Sequence, residues 1–515
     1  QCLVTAGVDD AIDRLSRAFL MEGDQFVLPS PTFEMLTHYV TMMGATPTRV
    51  SWLPGQNFPV EQVLQNIHDN TKLIVVISPN NPTGDVIHLE QIDQLAQAVP
   101  HIPILLDLAY VEFADQDPTQ HALQWPNVII TRTFSKAWGV PGLRVGYALG
   151  HPQMLAWMKT AGEPFSTATP SLWLAQHQFE HERQSMLKHV QRIRQVRQTL
   201  RSTLQDLGVE VFSSQANYLF LRCADATWFR DAMAGMGIAV RIFPEHENLV
   251  GCVRITCPCD DKDVQRLQSA LYTLFRPQAI LFDMDGVLVD VSASYREAIR
   301  QTAASFGVHV DGTQIQAVKN IGNMNNDWVC TQQILKDAGI ECTLAEVTER
   351  FEQFYQGTPE QEGLCHRETP KVTRAWLKQL KSHVRLGVVT GRPRKDAHSF
   401  LEKHQLTDLF DVVVCMEDAA SKPSPEPLHK ALSKLGLEHA WYVGDTPDDV
   451  AASRAAFLLP IGIQTADHRP EDIAHLLKCG ASCVLPRTTD VLDKLSIFSP
   501  TQTSASHINT PPRSA

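Results

Sequence analysis

Short apolar runs recur along the chain, each closed by turn-forming or polar residues. In the first half they are Leu3–Thr5, Phe26–Leu28, Leu73–Ile77, Ile104–Leu106 and Val128–Ile130. Leu3–Thr5 predicts a short strand, and the later continuous runs predict strands of the kind buried inside a parallel sheet. Between the first two, Ala11–Leu20 carries apolar residues at helical spacing behind the turn Ala6-Gly7-Val8-Asp9-Asp10, whose acids suit a helix N-terminus. From about Ser166 the pattern changes to long helices, with one predicted over Ser171–Leu207, and then to a small α/β unit. In the basic stretch R-I-R-Q-V-R-Q-T-L-R the residues Ile193, Val196 and Leu200 form one apolar face, so its arginines read as a solvated helix face rather than an anion patch. After the short linker Arg276-Pro277-Gln278 the strand pattern restarts. Ala279–Phe282, Leu386–Val389, Val412–Val414 and Trp441–Val443 predict a second parallel sheet, interrupted by a helical insertion over Ser292–Leu377. The end of the chain, from Ser499, is rich in Ser, Thr and Pro and is expected to be disordered.

Composition adds bounds to this pattern. At 515 residues, 43% hydrophobic and 20% charged, the chain reads as ordinary globular protein of about two to four domains. Its 57 acidic against 45 basic residues give a net charge of −12, which argues against nucleic acid or an anionic membrane as a partner of the whole chain. No apolar run approaches the ~20 residues that span a bilayer. Eleven cysteines lie without regular spacing, which points to free thiols in a reducing, cytoplasmic compartment. The densest group, Cys252, Cys257 and Cys259, has no second cluster beside it and reads as buried thiols rather than a zinc site. Gln1 opens on what looks like the middle of a fold, so a targeting segment would precede it.

Candidate chemistry sits where the runs end. Thr133-Phe134-Ser135-Lys136 leads into a glycine-rich stretch with Arg144. A lysine there can form a Schiff base with an aldehyde while Thr133, Ser135 and Arg144 hold a phosphate beside it, a combination that describes pyridoxal phosphate. The first turn of the opening helix, preceded by Gly7, offers further backbone N–H groups to a phosphate. Asp107 ends an apolar strand, where ligands of open α/β sheets bind, and needs a cationic partner if buried. Asn81, before a proline, is held extended. Phe33 could present its ring to a ligand or simply be core. Arg254 lies in an apolar strand, where a salt bridge and an anionic substrate compete.

The motifs A-G-V-D-D, P-T-F, S-P-N-N-P-T-G, D-L-A-Y, S-K-A-W-G-V-P-G-L-R-V-G-Y and V-R-I-T together resemble the fold-type I aminotransferases, and within them the histidinol-phosphate branch. The resemblance covers Gln1 to about Phe275. It implies a pyridoxal phosphate-dependent transferase fold, N-terminally incomplete, with a large domain over residues 1–165, a small domain over 166–275 and a homodimeric assembly. It also implies that Lys136 bonds the coenzyme and moves the proton, and that Asp107 pairs with the pyridine nitrogen. Tyr110 and Asn81 would bond the ring hydroxyl and Phe33 would stack on the ring. Val8 and Asp9 would share the phosphate with Thr133, Ser135 and Arg144, and Arg254, with Arg241 as a second contact, would take the substrate's anionic group. Leu108 departs from the family, which often has glutamate there.

In the second half Asp283-Met284-Asp285 puts two carboxylates one residue apart behind a strand, an arrangement that is costly without a cation. Thr390-Gly391-Arg392, Lys422-Pro423 and Gly444-Asp445-Thr446-Pro447-Asp448-Asp449 follow at later strand ends. Together these resemble the haloacid dehalogenase superfamily, subfamily I, with a Rossmann-like hydrolase core over 276–291 and 378–490, a helical cap over 292–377 and a disordered tail over 491–515. By that resemblance Asp283 is the nucleophile, and Asp285 gives a proton to the leaving oxygen and later activates water. Thr390 and Lys422 balance charge, and Mg2+ is held by Asp283, the Asp285 carbonyl and Asp445, with Asp449 behind it. The loop Ile321–Trp328 reads equally as a substrate contact or a helix connection. The expectation is a bifunctional aminotransferase and Mg2+-dependent phosphatase acting on phosphorylated small molecules, in consecutive steps of histidine synthesis. The alternatives keep the phosphatase beside a pyridoxal phosphate enzyme of other specificity, or beside a non-catalytic scaffold.

Overall fold

A computed structural model of the chain describes residues 1–322, 324, 326–466 and 468–498. The tail from Ser499 to Ala515, and Asn323 and Asn325 of the Ile321–Trp328 loop, therefore lie outside the described residues. The chain divides into two compact units, Gln1–Ala226 with Val240–Gln265, and Thr227–Ala239 with the chain from Arg266 onward.

The first unit is built on a seven-stranded sheet in the order Cys2–Thr5, Gly146–Leu149, Val128–Thr133, Ile104–Asp107, Thr71–Ile77, Gln25–Ser30, Thr46–Ser51. The last five run parallel, and Gly146–Leu149 is antiparallel to both neighbours. Successive residues of each strand feed opposite cores: Val27, Ile74, Val76, Ile104 and Leu106 on one face, Phe26, Leu28, Leu73, Val75 and Leu105 on the other. Each such side chain contributes roughly 1.5–3 kcal/mol by burial, which is why the strands are apolar without alternation. Helix Gly7–Phe19 covers the second face through Ala11, Ile12 and Leu15, and Leu89–Ala98 covers the first through Ile92 and Leu95. A separate four-stranded antiparallel sheet holds Glu210–Val211, Tyr218–Arg222, Arg241–Ile242 and Cys252–Thr256.

Several expectations change here. The opening helix begins at Gly7, four residues before the expected Ala11. The helix expected over Ser171–Leu207 is two helices, Thr169–His181 and Arg183–Asp206, separated at Glu182, whose backbone (φ −107°, ψ 14°) leaves the helical range. Its apolar face is buried as read, but not all of its arginines face water. Arg194 donates to the Phe113 carbonyl at 3.2 Å and Arg197 to that of Ala216 at 2.6 Å. Cys252 and Cys257 are buried while Cys259 is exposed.

The second unit holds a wholly parallel six-stranded sheet in the order Val412–Val414, Arg385–Val389, Ala279–Phe282, Ala440–Gly444, Leu459–Ile463, Cys483–Leu485. Four helices, Tyr295–Ser305, Gly312–Lys319, Asp327–Asp337 and Leu344–Gln356, form the insertion, and the chain crosses into and out of it through the antiparallel pair Val289–Asp290 and Thr369–Pro370. Helix Arg374–Lys381, which the expected insertion boundary cuts, packs on the core: Trp376 donates to the Thr489 carbonyl at 3.2 Å and meets Phe282 edge-on. The segment Thr227–Ala239 also belongs to this body. Trp228 packs edge-on to Trp441 at 5.9 Å, and the Trp441 indole donates to the Thr273 carbonyl at 2.7 Å, so packing draws the boundary ahead of the linker. Val491–Ser496 is helical with Val491 buried, so the expected disorder over 491–515 does not hold for its first residues. The buried Val491 ties them to the body.

Candidate functional site

In the first unit the parallel strands deliver their C-terminal residues to one rim. Asp107 closes the Ile104–Asp107 strand and is buried. It accepts from Thr131 Oγ1 at 2.9 Å and from the Ala109 N–H at 3.1 Å, both on Oδ1, which leaves Oδ2 with no protein donor among the described residues. Burial pushes its carboxyl up to about 6, against the pull of these bonds and of nearby Lys136. Lys136 follows the Val128–Thr133 strand and places Nζ 5.2 Å from the centre of the Tyr110 ring. Tyr110 meets Tyr218 edge-on at 5.3 Å, the Arg254 guanidinium lies 5.1 Å from the Tyr218 ring, and Arg254 donates to Asn81 Oδ1 at 2.5 Å.

Beside this cluster Thr133 Oγ1 donates to Ser135 Oγ at 3.0 Å, and Arg144 reaches Ser135 Oγ at 3.4 Å and the Asp9 carboxylate at 2.8 Å. Asp9 thus enters through its side chain. Gly7 has φ 82°, and a Cβ there would come within 2.8 Å of Arg144 Nη2, so glycine is what lets the guanidinium lie over the helix's first turn. Val8 and Phe33 are both half-buried and pack against the core that holds Phe26 and Leu28. Arg241 is opposite Arg254 in register but exposed, 3.4 Å from Glu34. Tyr218 escaped the sequence reading. Its one signal was a tyrosine opening an otherwise apolar strand.

In the second unit Asp283 follows the central Ala279–Phe282 strand and is buried. Lys422 Nζ donates to Asp283 Oδ1 at 2.7 Å, to Asp449 Oδ1 at 2.5 Å and to the Tyr442 hydroxyl at 2.8 Å. Asp449 Oδ2 accepts from Thr446 Oγ1 at 2.7 Å and from the Thr446 N–H at 3.0 Å. One oxygen from each of Asp283, Asp445 and Asp449 lies within 4.8 Å of the others. Gly286, at φ 73°, keeps the chain clear of Asp445, since a Cβ would run into that carboxylate. Thr390, also buried, accepts from the Arg392 N–H at 3.1 Å. The Asp285 side chain pairs with Arg392 and is not one of the three clustered carboxylates. A cavity of about 380 Å³ opens on Asp283, Asp285, Lys422 and Asp445 and is closed on the insertion side by Arg296, Lys319 and Asp327.

Burial pushes Asp283 well above the ordinary carboxylate range, beyond what Lys422 reverses, and pushes Asp445 up to about 7. Burial also works against the Asp449 anion, but Lys422 and Thr446 hold it below its ordinary value.

Residues 1–271 match the family model of class I and II aminotransferases. The chain belongs to this family. Residues 280–463 match the haloacid dehalogenase-like hydrolases, so an aminotransferase and a hydrolase are fused in one chain. The histidinol-phosphate aminotransferase of Thermoanaerobacter sp. (strain X514) is 31% identical over 273 residues, 52% of this chain and 76% of that protein. An imidazoleglycerol-phosphate dehydratase of Phytophthora nicotianae is 42% identical over 250 residues, 45% of this chain, which spans 55% of that relative's length. The solved histidinol-phosphate aminotransferase of Sinorhizobium meliloti, in complex with pyridoxal-5'-phosphate, is 27% identical, with 52% of this chain and 75% of that one covered at a TM-score of 0.49.

The aminotransferase family implies pyridoxal phosphate, and the residues present fit it: Asp107 Oδ2 has no donor among the described residues, and Gly7, Ser135 and Arg144 form a cradle at a helix start. In the hydrolase the oxygen-only donor set of Asp283, Asp445 and Asp449 suits a hard divalent cation. No helix among the described residues is long and apolar enough to cross a membrane.

The raised carboxyls give a pH signature. Asp283 and Asp445 hold protons to higher pH in the fold than in the unfolded chain, so without a cation stability falls as pH climbs from about 4 toward about 7. The depressed Asp449 contributes in the opposite sense, and only as pH falls below its ordinary range. A cation displaces those protons, and it meets fewer of them as pH rises past about 7, where Asp445 gives up its own. Mg2+ held at one concentration, about a hundredfold above its dissociation constant at pH 8, should therefore raise the unfolding temperature by roughly 5–10 °C at pH 8 and far less at pH 5. Calorimetry with Mg2+ against a chelator at both pH values checks this, and an equal shift at both would refute it.

Proposed function

We propose that the chain is a bifunctional enzyme, a pyridoxal phosphate-dependent aminotransferase for an anionic, phosphorylated substrate such as histidinol phosphate, joined to a Mg2+-dependent phosphatase. The observation that carries the reading is that each unit closes its own constellation. Lys136, Asp107, Tyr110, Asn81 and Arg254 meet at one rim, and Asp283, Lys422, Asp449 and Asp445 meet at the other. The names of the relatives support a phosphate ester as substrate.

In the aminotransferase, pyridoxal phosphate supplies an electron sink for the substrate's amino carbon. Asp107 keeps a negative charge facing the ring nitrogen, Lys136 carries the proton between positions, and Arg254 orients the substrate through its anionic group. In the phosphatase, a bound Mg2+ offsets charge beside the phosphoryl group. Asp283 attacks phosphorus, Lys422 holds that carboxylate against the incoming anion, Thr390 bonds the transferring group, and Asp285 protonates the leaving oxygen. A homodimer formed through the aminotransferase, in the cytoplasm, is the inferred setting. In support, helix Thr169–His181 buries only Ala175 and exposes Leu172, Trp173, Leu174 and Phe179.

The deciding assay gives full-length protein imidazole-acetol phosphate and glutamate, and scores amino transfer and phosphate release separately. Histidinol as the product supports the consecutive reading, and its absence ends that reading while either activity alone keeps its own enzyme class. Arg254→Gln should lower kcat/KM for the phosphorylated substrate about 10- to 100-fold, the worth of one charged hydrogen bond. Steady-state kinetics check this, and an unchanged constant would remove Arg254 from the substrate site.

A further inference from the structure

Asp285 has a partner that its proton-transfer role does not require. Arg392, two residues past Thr390, is almost wholly buried, with 1% of its side chain exposed. It donates from Nε to Asp285 Oδ1 at 2.7 Å, and its Nη2 reaches the same oxygen. Its other edge grips Glu368, Nη1 to Oε2 at 2.9 Å and Nη2 to Oε1 at 3.0 Å. The Tyr295 ring lies 4.7 Å from the guanidinium carbon. Glu368 accepts in turn from Ser294 Oγ at 3.0 Å and from the Tyr355 hydroxyl at 3.1 Å.

These partners stand at the root of the cap. Ser294 and Tyr295 follow the first crossing strand, Val289–Asp290, while Glu368 immediately precedes the second, Thr369–Pro370, and Tyr355 lies near the end of the cap helix Leu344–Gln356. Arg392 comes from the core loop after Arg385–Val389. A guanidinium this deep must be fully paired, and Glu368 alone offers the bidentate match a structural ion pair needs. The fork is instead divided between that glutamate and a carboxylate with a part in the reaction.

We propose that Arg392 is a positioning residue for Asp285, fixing the orientation of its carboxyl and tying that orientation, through Glu368, to the seating of the cap. The inference rests on the phosphatase reading above. Because Arg392 occupies Oδ1, the proton for the leaving oxygen is delivered from Oδ2. The guanidinium itself stays protonated throughout and exchanges nothing.

The test compares glycerol 2-phosphate, whose alkoxide must be protonated as it leaves, with p-nitrophenyl phosphate, whose phenolate departs without a proton. Arg392→Lys keeps the charge and loses the fork. It should lower the single-turnover rate of leaving-group release from the alkyl ester about 10- to 100-fold while changing that from the aryl ester less than about threefold, the span general acid catalysis allows. Single-turnover rates leave out the later hydrolysis step, which uses Asp285 for both esters. Glu368→Gln, which keeps the shape, should move the ratio of the two rates the same way by about 3- to 10-fold. Equal loss on both esters would reduce Arg392 to packing and overturn the proposal, and a wild-type ratio in Glu368→Gln would overturn the link to the cap. Should Arg392→Lys fail to fold, the Glu368→Gln ratio decides alone. If wild-type protein releases phosphate from neither ester, the phosphatase reading itself fails and takes the proposal with it, whereas an active wild type with unmoved ratios sinks only the proposal.

Discussion

Asp283→Asn should abolish phosphate release, with a loss on the order of 10⁴-fold or more, the cost expected of removing a catalytic nucleophile. The change is nearly isosteric at a buried site. It also relieves crowding, because Asp283 is pushed up by burial and by the neighbouring charges of Asp449, Asp285 and Asp445. Lys422 keeps its bonds to Asp449 and Tyr442 and is not left alone. Loss of activity through unfolding is therefore not expected, and the variant should melt at or above the wild-type temperature. Malachite-green detection of phosphate, paired with a thermal melt, checks both halves of the expectation. Residual release within about tenfold of wild type would place the nucleophile elsewhere.

The residues that sequence made legible are the ones a parallel sheet sorts by itself. Asn81, Asp107 and Lys136 stand at the ends of apolar runs, as do Asp283, Thr390 and Asp445, and parallel pairing sends every such end to one rim. What stayed hidden came from long-range packing. Tyr218 joins Tyr110 to Arg254 across more than a hundred residues of chain, and Tyr442 lies inside an apolar strand where nothing distinguishes a hydroxyl that meets Lys422 from a core ring. Arg392 and Glu368 carry no local signal of each other, since the ion pair joins a motif loop to a cap crossing. Thr46–Ser51 was unreadable as a strand because only Val50 is buried at that edge. The placing of Thr227–Ala239 in the second unit was hidden for the same reason. Trp228 looks like any small-domain aromatic until Trp441 is seen beside it.

Lys136→Ala should remove the visible absorbance that bound pyridoxal phosphate gives an aminotransferase and lower amino transfer on the order of 10⁴-fold, because one amine serves as both the covalent anchor and the proton carrier. Nothing in the packing depends on that amine. It hangs at 5.2 Å from the Tyr110 ring, and the sheet below is held by side chains it does not touch. Asp107, Ser135 and Arg144 remain in the variant, so the coenzyme should still bind, weakly and without the lysine-linked band. Absorbance titration separates that outcome from loss of the site. The second activity makes the result decisive: phosphate release by Lys136→Ala should equal wild type, and amino transfer by Asp283→Asn should do the same, because the two sets of reactive groups belong to different sheets. A wild-type protein without the visible band, whose amino transfer is nil and unmoved by Lys136→Ala, would leave the aminotransferase half as a scaffold for the hydrolase.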